Sequence, residues 1–105
     1  MRLLSYTDSA RDDLVGIALH IARESGSRAV AEAFAEKLER RCEHLAALPG
    51  THGTPRPDLR DDLRSTPFRA YVIFFRYLEN RLEIVNVLHA SRDIVGHFDE
   101  HGGGD

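Results

Sequence analysis

The hydrophobic pattern of this chain changes period near residue 50, and that change limits the folds available to it. From Ala10 to Leu48 the apolar residues recur every three or four positions, which is the period of an amphipathic helix. From Arg69 to His89 they form two short runs rich in β-branched and aromatic side chains, which are typical of strands. Helices are therefore followed by strands, which indicates an α+β domain.

The first half of the chain predicts two antiparallel helices. Thr7 is a suitable N-cap for the first, and Gly26 can end it in the left-handed conformation, which leaves Ser27 to cap the second. A connection this short makes the helices neighbours in space. The apolar stripe of the first helix comprises Ala10, Leu14, Ile17 and Ile21. The stripe of the second comprises Val30, Phe34, Leu38, Leu45 and Leu48, with Cys42 beside it as a buried small hydrophobe.

Four strands are predicted around this hairpin. They cover Leu3–Tyr6, Leu63–Thr66, Arg69–Leu78 and Leu82–His89. Between the last two strands, Glu79-Asn80-Arg81 predicts a tight turn, since Asn tolerates a positive φ. The segment from Thr51 to Asp58 contains one glycine and two prolines and is predicted to be a loop. The order is β-α-α-β-β-β, a helical hairpin packed on one face of a small antiparallel sheet.

The strand from Arg69 to Leu78 is apolar on both faces. Neighbouring residues such as Phe74 and Phe75 point to opposite sides, so each side needs a cover. The helical hairpin suits one side. The pattern fits two covers for the other side equally well, namely a partner protein or the chain's own C-terminal segment around Phe98.

Composition limits the class of protein. The 105 residues make one domain, predicted over residues 1–98, with residues 99–105 as a flexible tail. Asp plus Glu outnumber Lys plus Arg by 17 to 14, which excludes a generic polycation that grips nucleic acid through excess positive charge. The longest apolar run, Ala70–Phe75, is too short to span a bilayer. A single cysteine favours a reducing compartment, and no targeting segment is evident, so we expect a cytoplasmic location.

No cofactor or metal site is predicted. The six histidines show neither an HExxH nor a comparable metal-ligand pattern, although His97 and His101 are four residues apart. No glycine-rich loop precedes a helix, so no phosphate cradle is indicated.

A set of arginines between the loop and the central strand remains as the candidate for chemistry. It comprises Arg56, Arg60, Arg64, Arg69 and Arg76, with Tyr71, Tyr77, His89 and Arg92 on or near the sheet. Arginine can hold phosphate and His or Tyr can transfer protons, as metal-free RNA cleavage requires. Alternatively, these arginines pair with Asp58, Asp61 and Asp62 and serve only to keep an edge of the sheet polar and solvent-exposed.

Several short motifs, in this order, resemble one known family. They are Ser5-x4-Ala10-x2-Asp13-Leu14-x2-Ile17, Leu45-x3-Pro49-x3-Gly53, Leu63-Arg64, Tyr71-Val72-Ile73-Phe74-Phe75-Arg76 and Val87-Leu88-His89-x2-Arg92-Asp93. The set resembles the ParE branch of the RelE/ParE superfamily of bacterial toxins, also called plasmid stabilization proteins. The resemblance covers nearly the whole chain. It implies the RelE/ParE-like fold, a helical hairpin against an antiparallel sheet, in agreement with the hydrophobic pattern.

The resemblance also implies a function. Such a protein is the toxin of a type II toxin–antitoxin module and forms a hetero-oligomer with an antitoxin, usually of the ParD type. ParE-like toxins bind DNA gyrase, which implies a gyrase inhibitor with no catalytic residue and no direct DNA binding. We expect the antitoxin along the helical hairpin and at an open sheet edge. The residues expected to face the target or partner are Arg64, Arg69, Tyr71, Arg76, His89 and Arg92.

RelE-like relatives provide the alternative, since they cut messenger RNA on the ribosome. A ribonuclease site in this chain would use Arg64, Arg92 and His97. The resemblance implies that a RelE-type site would also contain a C-terminal tyrosine and lysines. Both are missing here, and the chain is not strongly basic, so gyrase binding of the ParE type is favoured. A third reading is a degenerate member that binds only the antitoxin.

Overall fold

A computed structural model of the protein describes the backbone of residues 2–101 and the side chains of residues 2–99. Within that range the strands are β1 Leu3–Tyr6, β2 Thr54–Pro55, β3 Arg64–Phe68, β4 Tyr71–Leu78 and β5 Arg81–His89. The helices are α1 Asp8–Ser25, α2 Arg28–Ala47 and α3 Ile94–His101. The two elements that the sequence did not predict are β2, inside the expected loop, and α3.

The two long helices begin at the residues that the sequence indicates. The Thr7 hydroxyl accepts a hydrogen bond from the Ala10 amide at 3.0 Å, and the Ser27 hydroxyl accepts one from the Val30 amide at 3.2 Å. Removing either hydroxyl would cost about 1 kcal/mol. Gly26 lies between the helices with φ 68°, where a side chain would be strained. The predicted helical hairpin is confirmed.

The strands form one sheet in the order β1-β5-β4-β3-β2. β2, β3, β4 and β5 pair antiparallel, whereas β1 pairs parallel to β5, with Leu3 opposite Arg81 and Tyr6 opposite Ile84. The α+β fold is confirmed, but the sheet is mixed where an antiparallel one was expected. Because α1, α2 and three strands lie between β1 and β5, these two strands are not joined by a tight hairpin, which would force antiparallel pairing.

The chain itself covers both faces of the sheet. α1 and α2 pack on one face around a core that includes Leu38, Ile73 and Phe75. On the other face, the ring of Phe98 in α3 lies 5.0 Å from the ring of Phe74, and Phe98 is only 3% exposed. The C-terminal segment therefore covers the second face, which resolves the alternative that the sequence left open. β4 is apolar on both sides because it is enclosed on both sides.

The buried face of α2 is centred differently from the predicted stripe. Val30 is 50% exposed, while the neighbouring Ala31 is buried together with Leu38 and Cys42. At 100° per residue, Ala31 lies at the centre of that face and Val30 at its edge. Burial raises the pKa of the Cys42 thiol to about 11, with a smaller opposing effect from its hydrogen bond to Tyr6. Cys42 is the buried small hydrophobe that was expected.

One turn was not expected from the sequence. β4 begins at Tyr71, because Arg69 and Ala70 form the two-residue connection across which Phe68 pairs with Tyr71. Arg69 has φ 56° and is the only residue other than glycine with positive φ in the described part of the chain. The tight turn predicted at Glu79-Asn80-Arg81 is confirmed, since Leu78 pairs with Arg81, but Asn80 does not have a positive φ.

Asp93 starts α3 and thereby positions the cover of the second face. Its Oδ1 accepts a hydrogen bond from the Gly96 amide at 3.0 Å, and its carbonyl accepts one from the His97 amide at 3.0 Å. A Cβ at Gly96 would collide with the Asp93 carboxylate. α3 continues past the predicted boundary at residue 98 to His101, and residues 102–105 of the expected tail lie outside the described residues.

Candidate functional site

Arg64 holds the loop that precedes β2. Its Nε donates to the His52 carbonyl at 2.7 Å, and its Nη2 donates to the Gly53 carbonyl at 3.3 Å. Gly53 has φ 79°, and a Cβ at this position would lie 2.6 Å from the Phe75 ring. The loop backbone therefore passes directly against the core, and the guanidinium of Arg64 is occupied in keeping it there.

Arg76 is paired with two carboxylates. Its Nε donates to Glu83 at 2.8 Å and its Nη1 to Asp62 at 3.3 Å. Burial alone would lower the pKa of Arg76, but Glu83 and then Asp62 raise that pKa above its ordinary value. Arg56 is likewise paired with Asp58, and this hydrogen bond lowers the pKa of the Asp58 carboxyl. The predicted pairing of arginines with nearby acids is confirmed for Arg56 and Arg76.

Three other candidates meet at the opposite end of the β4–β5 pair. Tyr71 pairs with His89, with 5.3 Å between their ring centres, and Arg92 follows in the turn that leads to α3. These side chains line a cleft of about 490 Å³ between α1 and the end of β5, which we call the α1–β5 cleft. The wall that α1 contributes carries Asp12, Asp13, Gly16, Ile17 and His20.

Of the side chains proposed for a ribonuclease, Arg64 lies apart from Arg92 and His97, both of which are close enough to Asp13 to act on its pKa. Arg64 pairs with Phe75, four residues along β4 from Tyr71, which is roughly 13 Å at 3.3 Å per residue. Arg92 lies at the Tyr71 end, and His97 lies on α3 with its ring 5.3 Å from that of Phe98. The structure therefore separates Arg64 from Arg92 by the length of half a strand.

Asp13 joins α1 to β5. Its Oδ2 accepts hydrogen bonds from the Asn86 side-chain amide at 2.8 Å and from the Val87 backbone amide at 2.9 Å. β1 pairs only with residues 81–84 of β5, so this carboxylate supplies an acceptor to the strand edge beyond β1. Burial raises the pKa of Asp13, although these two hydrogen bonds, His97 and Arg92 oppose that rise.

His89 is oriented by the turn that follows it. Its Nδ1 accepts a hydrogen bond from the Ser91 amide at 3.1 Å and lies 2.7 Å from the Ser91 hydroxyl. Because Nδ1 is an acceptor, the neutral ring carries its proton on Nε2. His89 is exposed, so this N–H is a donor that faces the cleft and its surroundings.

Arg69 stands beside the cleft at the tip of the β3–β4 hairpin. A left-handed conformation costs a residue with a side chain roughly 1–2 kcal/mol. Its guanidinium lies 5.7 Å from the centre of the Phe68 ring. Among the described residues, neither Arg69 nor Arg92 forms an ion pair, in contrast to Arg76.

Sequence reasoning missed the α1 wall of the cleft. The contact of Asp13 with Asn86 could not be read from the sequence, because the two residues lie 73 positions apart and no local pattern connects them. Gly16 was the available signal. It lies in the middle of an 18-residue helix, where glycine costs about 1 kcal/mol relative to alanine.

A second concave surface lies on the outer side of the helical hairpin, and we call it the hairpin groove. Its volume is about 440 Å³, and small side chains such as Ala22 and Ala31 line it. Val15 and Leu19 also line it and are 60% and 51% exposed. Arg28 and Glu32, which form an ion pair at 3.1 Å, lie on the α2 side. This arrangement suits a helix that presents an apolar face.

The described residues contain neither a membrane-spanning helix nor a group of metal-binding side chains. No helix within residues 2–101 has both the length and the hydrophobicity needed to cross a bilayer. No three His, Cys, Asp or Glu side chains in the described part of the chain converge on a position where they could hold a metal ion.

Comparisons with known proteins add independent information. A family model described as the ParE toxin of the type II toxin–antitoxin system, parDE, matches residues 4–94. A solved structure, described as the chromosomal ParDE TA system from P. aeruginosa, superposes with a TM-score of 0.73 at 19% identity, and the match covers 85% of this chain and 96% of that chain. No curated protein matches this chain. The structural match shows that the fold is shared.

Proposed function

Because this chain belongs to the ParE toxin family of type II toxin–antitoxin systems, we propose that it stops growth by binding DNA gyrase. The family match runs from β1 to the first residue of α3, and family membership implies an antitoxin partner. We further propose that this partner is ParD-like and that the two proteins form a hetero-oligomer. The proposed target places the action of the toxin in the cytoplasm.

The observation that carries binding over catalysis is the separation of Arg64 from Arg92 and His97. A ribonuclease needs its phosphate-binding and proton-transferring groups within hydrogen-bond reach of one bond. Here Arg64 is bonded to the carbonyls of His52 and Gly53 at one end of β4, and Arg92 lies at the other end. The net charge of −3 also suits a protein target better than a nucleic acid backbone.

The hairpin groove is the proposed seat of the antitoxin. Val15 and Leu19 are large apolar side chains that remain exposed beside a floor of small residues, which is a feature of protein-interaction surfaces. A partner helix can approach closely over alanines and bury both side chains. A partner of this kind would explain why the outer side of a surface helix carries apolar residues.

A supercoiling assay tests the gyrase proposal. Purified toxin at micromolar concentration should inhibit supercoiling by DNA gyrase, and addition of antitoxin should restore it. Transcripts mapped from cells that express the toxin should show no new ends within codons. Unaffected supercoiling would contradict the proposal, and codon-internal cleavage that is lost in Arg64→Ala would replace it with the ribonuclease.

A substitution in the groove tests the antitoxin seat. Leu19→Glu should weaken binding of the antitoxin encoded beside the toxin by roughly 30-fold or more, because a central apolar contact becomes a buried charge. Val95→Glu is the matched control, since Val95 is 54% exposed on α3, outside the groove. Equal losses in both variants, measured by calorimetry, would contradict this assignment.

A further inference from the structure

The α1–β5 cleft contains two residues that are unfavourable for the free protein. Gly16 lies exposed in the middle of α1, and a Cβ at this position would meet no atom within 4 Å. Alanine would therefore fit and would favour the helix. Arg69 has φ 56°, a conformation that glycine adopts without strain. The two-residue hairpin accounts for a positive φ at position 69 but not for an arginine there in place of glycine, and packing does not account for Gly16.

Both residues border the same surface. Gly16 lines the α1–β5 cleft directly. Arg69 precedes Ala70 and Tyr71, which line the continuation of the cleft along α1 towards Phe34. Proteins retain locally unfavourable residues mainly where function requires them. Two such residues at one surface, arising from different physical causes, indicate that the surface is used.

The charges of the cleft indicate what it receives. At the sheet end of the cleft, Arg69 in the β3–β4 turn and Arg92 in the turn after β5 form no ion pair with described residues, and His89 offers its Nε2 proton. On the α1 wall, Asp13 is already engaged by β5, while Asp12 is exposed. The turns that carry Arg69 and Arg92 are neighbours at the same end of the sheet, since the Ala90 amide donates to the Ala70 carbonyl at 2.8 Å, and Arg92 also acts on the Asp13 carboxylate. Carboxylates of a partner can pair with both, since arginine binds carboxylates in a bidentate manner.

We propose that the α1–β5 cleft is the surface through which this toxin contacts its target protein, by receiving an acidic segment whose carboxylates pair with Arg69 and Arg92. Gly16 leaves room for the backbone of that segment against α1. The cleft lies on a different flank of α1 from the hairpin groove, where the antitoxin is proposed to bind. The inference rests on the proposed function only in that the toxin acts by binding a protein.

Three variants test the proposal in the full chain. Gly16→Ala and Arg69→Gly should each raise the melting temperature, by roughly 4–8 °C for a domain of this size. Each of these two variants, and Arg92→Ala as the third, should weaken growth arrest and gyrase inhibition at least tenfold. The affinity of each for the antitoxin should stay within twofold of that of the unsubstituted toxin. Arg40→Ala, an exposed arginine of α2 outside the cleft, is the control and should retain activity.

Each outcome decides between the two proposals. If the unsubstituted toxin arrests growth without inhibiting gyrase, and the cleft variants no longer arrest growth, the result supports the cleft as the target-binding surface and contradicts gyrase as the target. Full activity in all three cleft variants overturns the cleft, even if gyrase is inhibited. Loss of antitoxin binding in the cleft variants also overturns it, because the cleft would then belong to the antitoxin. A toxin that neither arrests growth nor inhibits gyrase contradicts both proposals.

Discussion

The two ends of the β4–β5 pair use the same types of residue for different purposes. At the end that holds Arg64 and Arg76, each guanidinium bonds to loop carbonyls or to carboxylates, and Gly53 is required by the close approach of Phe75. At the end that holds Arg69, the guanidinium has no ion-pair partner among the described residues, and the nearby glycine of α1 faces open space. One end therefore maintains the fold, and the other is free for a partner.

This difference shows that a residue type alone does not identify a functional site. Arg64 and Arg92 both belong to motifs that resemble the family, yet one is bonded within the molecule and the other is exposed. The surrounding contacts decide which side chain can still bind something else. Three predictions test the contrast between the two ends.

The largest effect is expected at Gly53. Gly53→Ala should lower the free energy of unfolding by about 2–4 kcal/mol, because it adds strain at positive φ to a clash with Phe75 and with the Ser65 carbonyl. Gly50→Ala is a matched control, since Gly50 has φ 74° but a Cβ there meets nothing within 4 Å, and should cost about 1 kcal/mol. Equal losses in urea unfolding would show that the close approach has no energetic role.

Removal of an arginine should destabilise the protein more at the structural end of the sheet, at Arg76, than at the free end, at Arg92. Arg76→Ala should destabilise the protein by about 1–2 kcal/mol, because Glu83 is half-buried and loses its hydrogen-bonded partner. Arg92→Ala should change the free energy of unfolding by less than about 0.5 kcal/mol, as is usual for exposed side chains. A loss at Arg92 as large as that at Arg76 would contradict the division of the sheet into a structural end and a free end.

The smallest effect concerns pH and the α1 wall. Burial raises the pKa of Asp13 in the folded protein, so the folded state binds this proton more tightly than the unfolded chain. The resulting stabilisation is fully present below the unfolded pKa of about 3.8 and is lost as the pH rises through the folded pKa.

The unfolding free energy of the unsubstituted protein, relative to Asp13→Asn, should therefore increase as the pH falls from about 6 to 3. Chemical denaturation at several pH values measures this difference, and Asp12→Asn on the same wall is the control. A difference that decreases as the pH falls would mean that the hydrogen bonds to Asn86 and Val87 outweigh burial.

Local signals in the sequence determined the elements of this protein. Thr7, Gly26 and Ser27 mark the ends of the helices because caps and left-handed glycines act over a few residues. The apolar run in β4 indicated a strand covered on both faces, because the alternation of side chains along a strand is also a local property. The ordered motifs also pointed to the ParE family, which the family match confirms.

Only the tertiary structure decided how these elements meet. The parallel pairing of β1, the cover by Phe98 and the contact of Asp13 with β5 each join residues more than 20 positions apart, where sequence periodicity carries no information. The choice between bonded and free arginines depends on the same long-range contacts. The sequence alone determined which side chains could act, and tertiary packing decided which of them remain available.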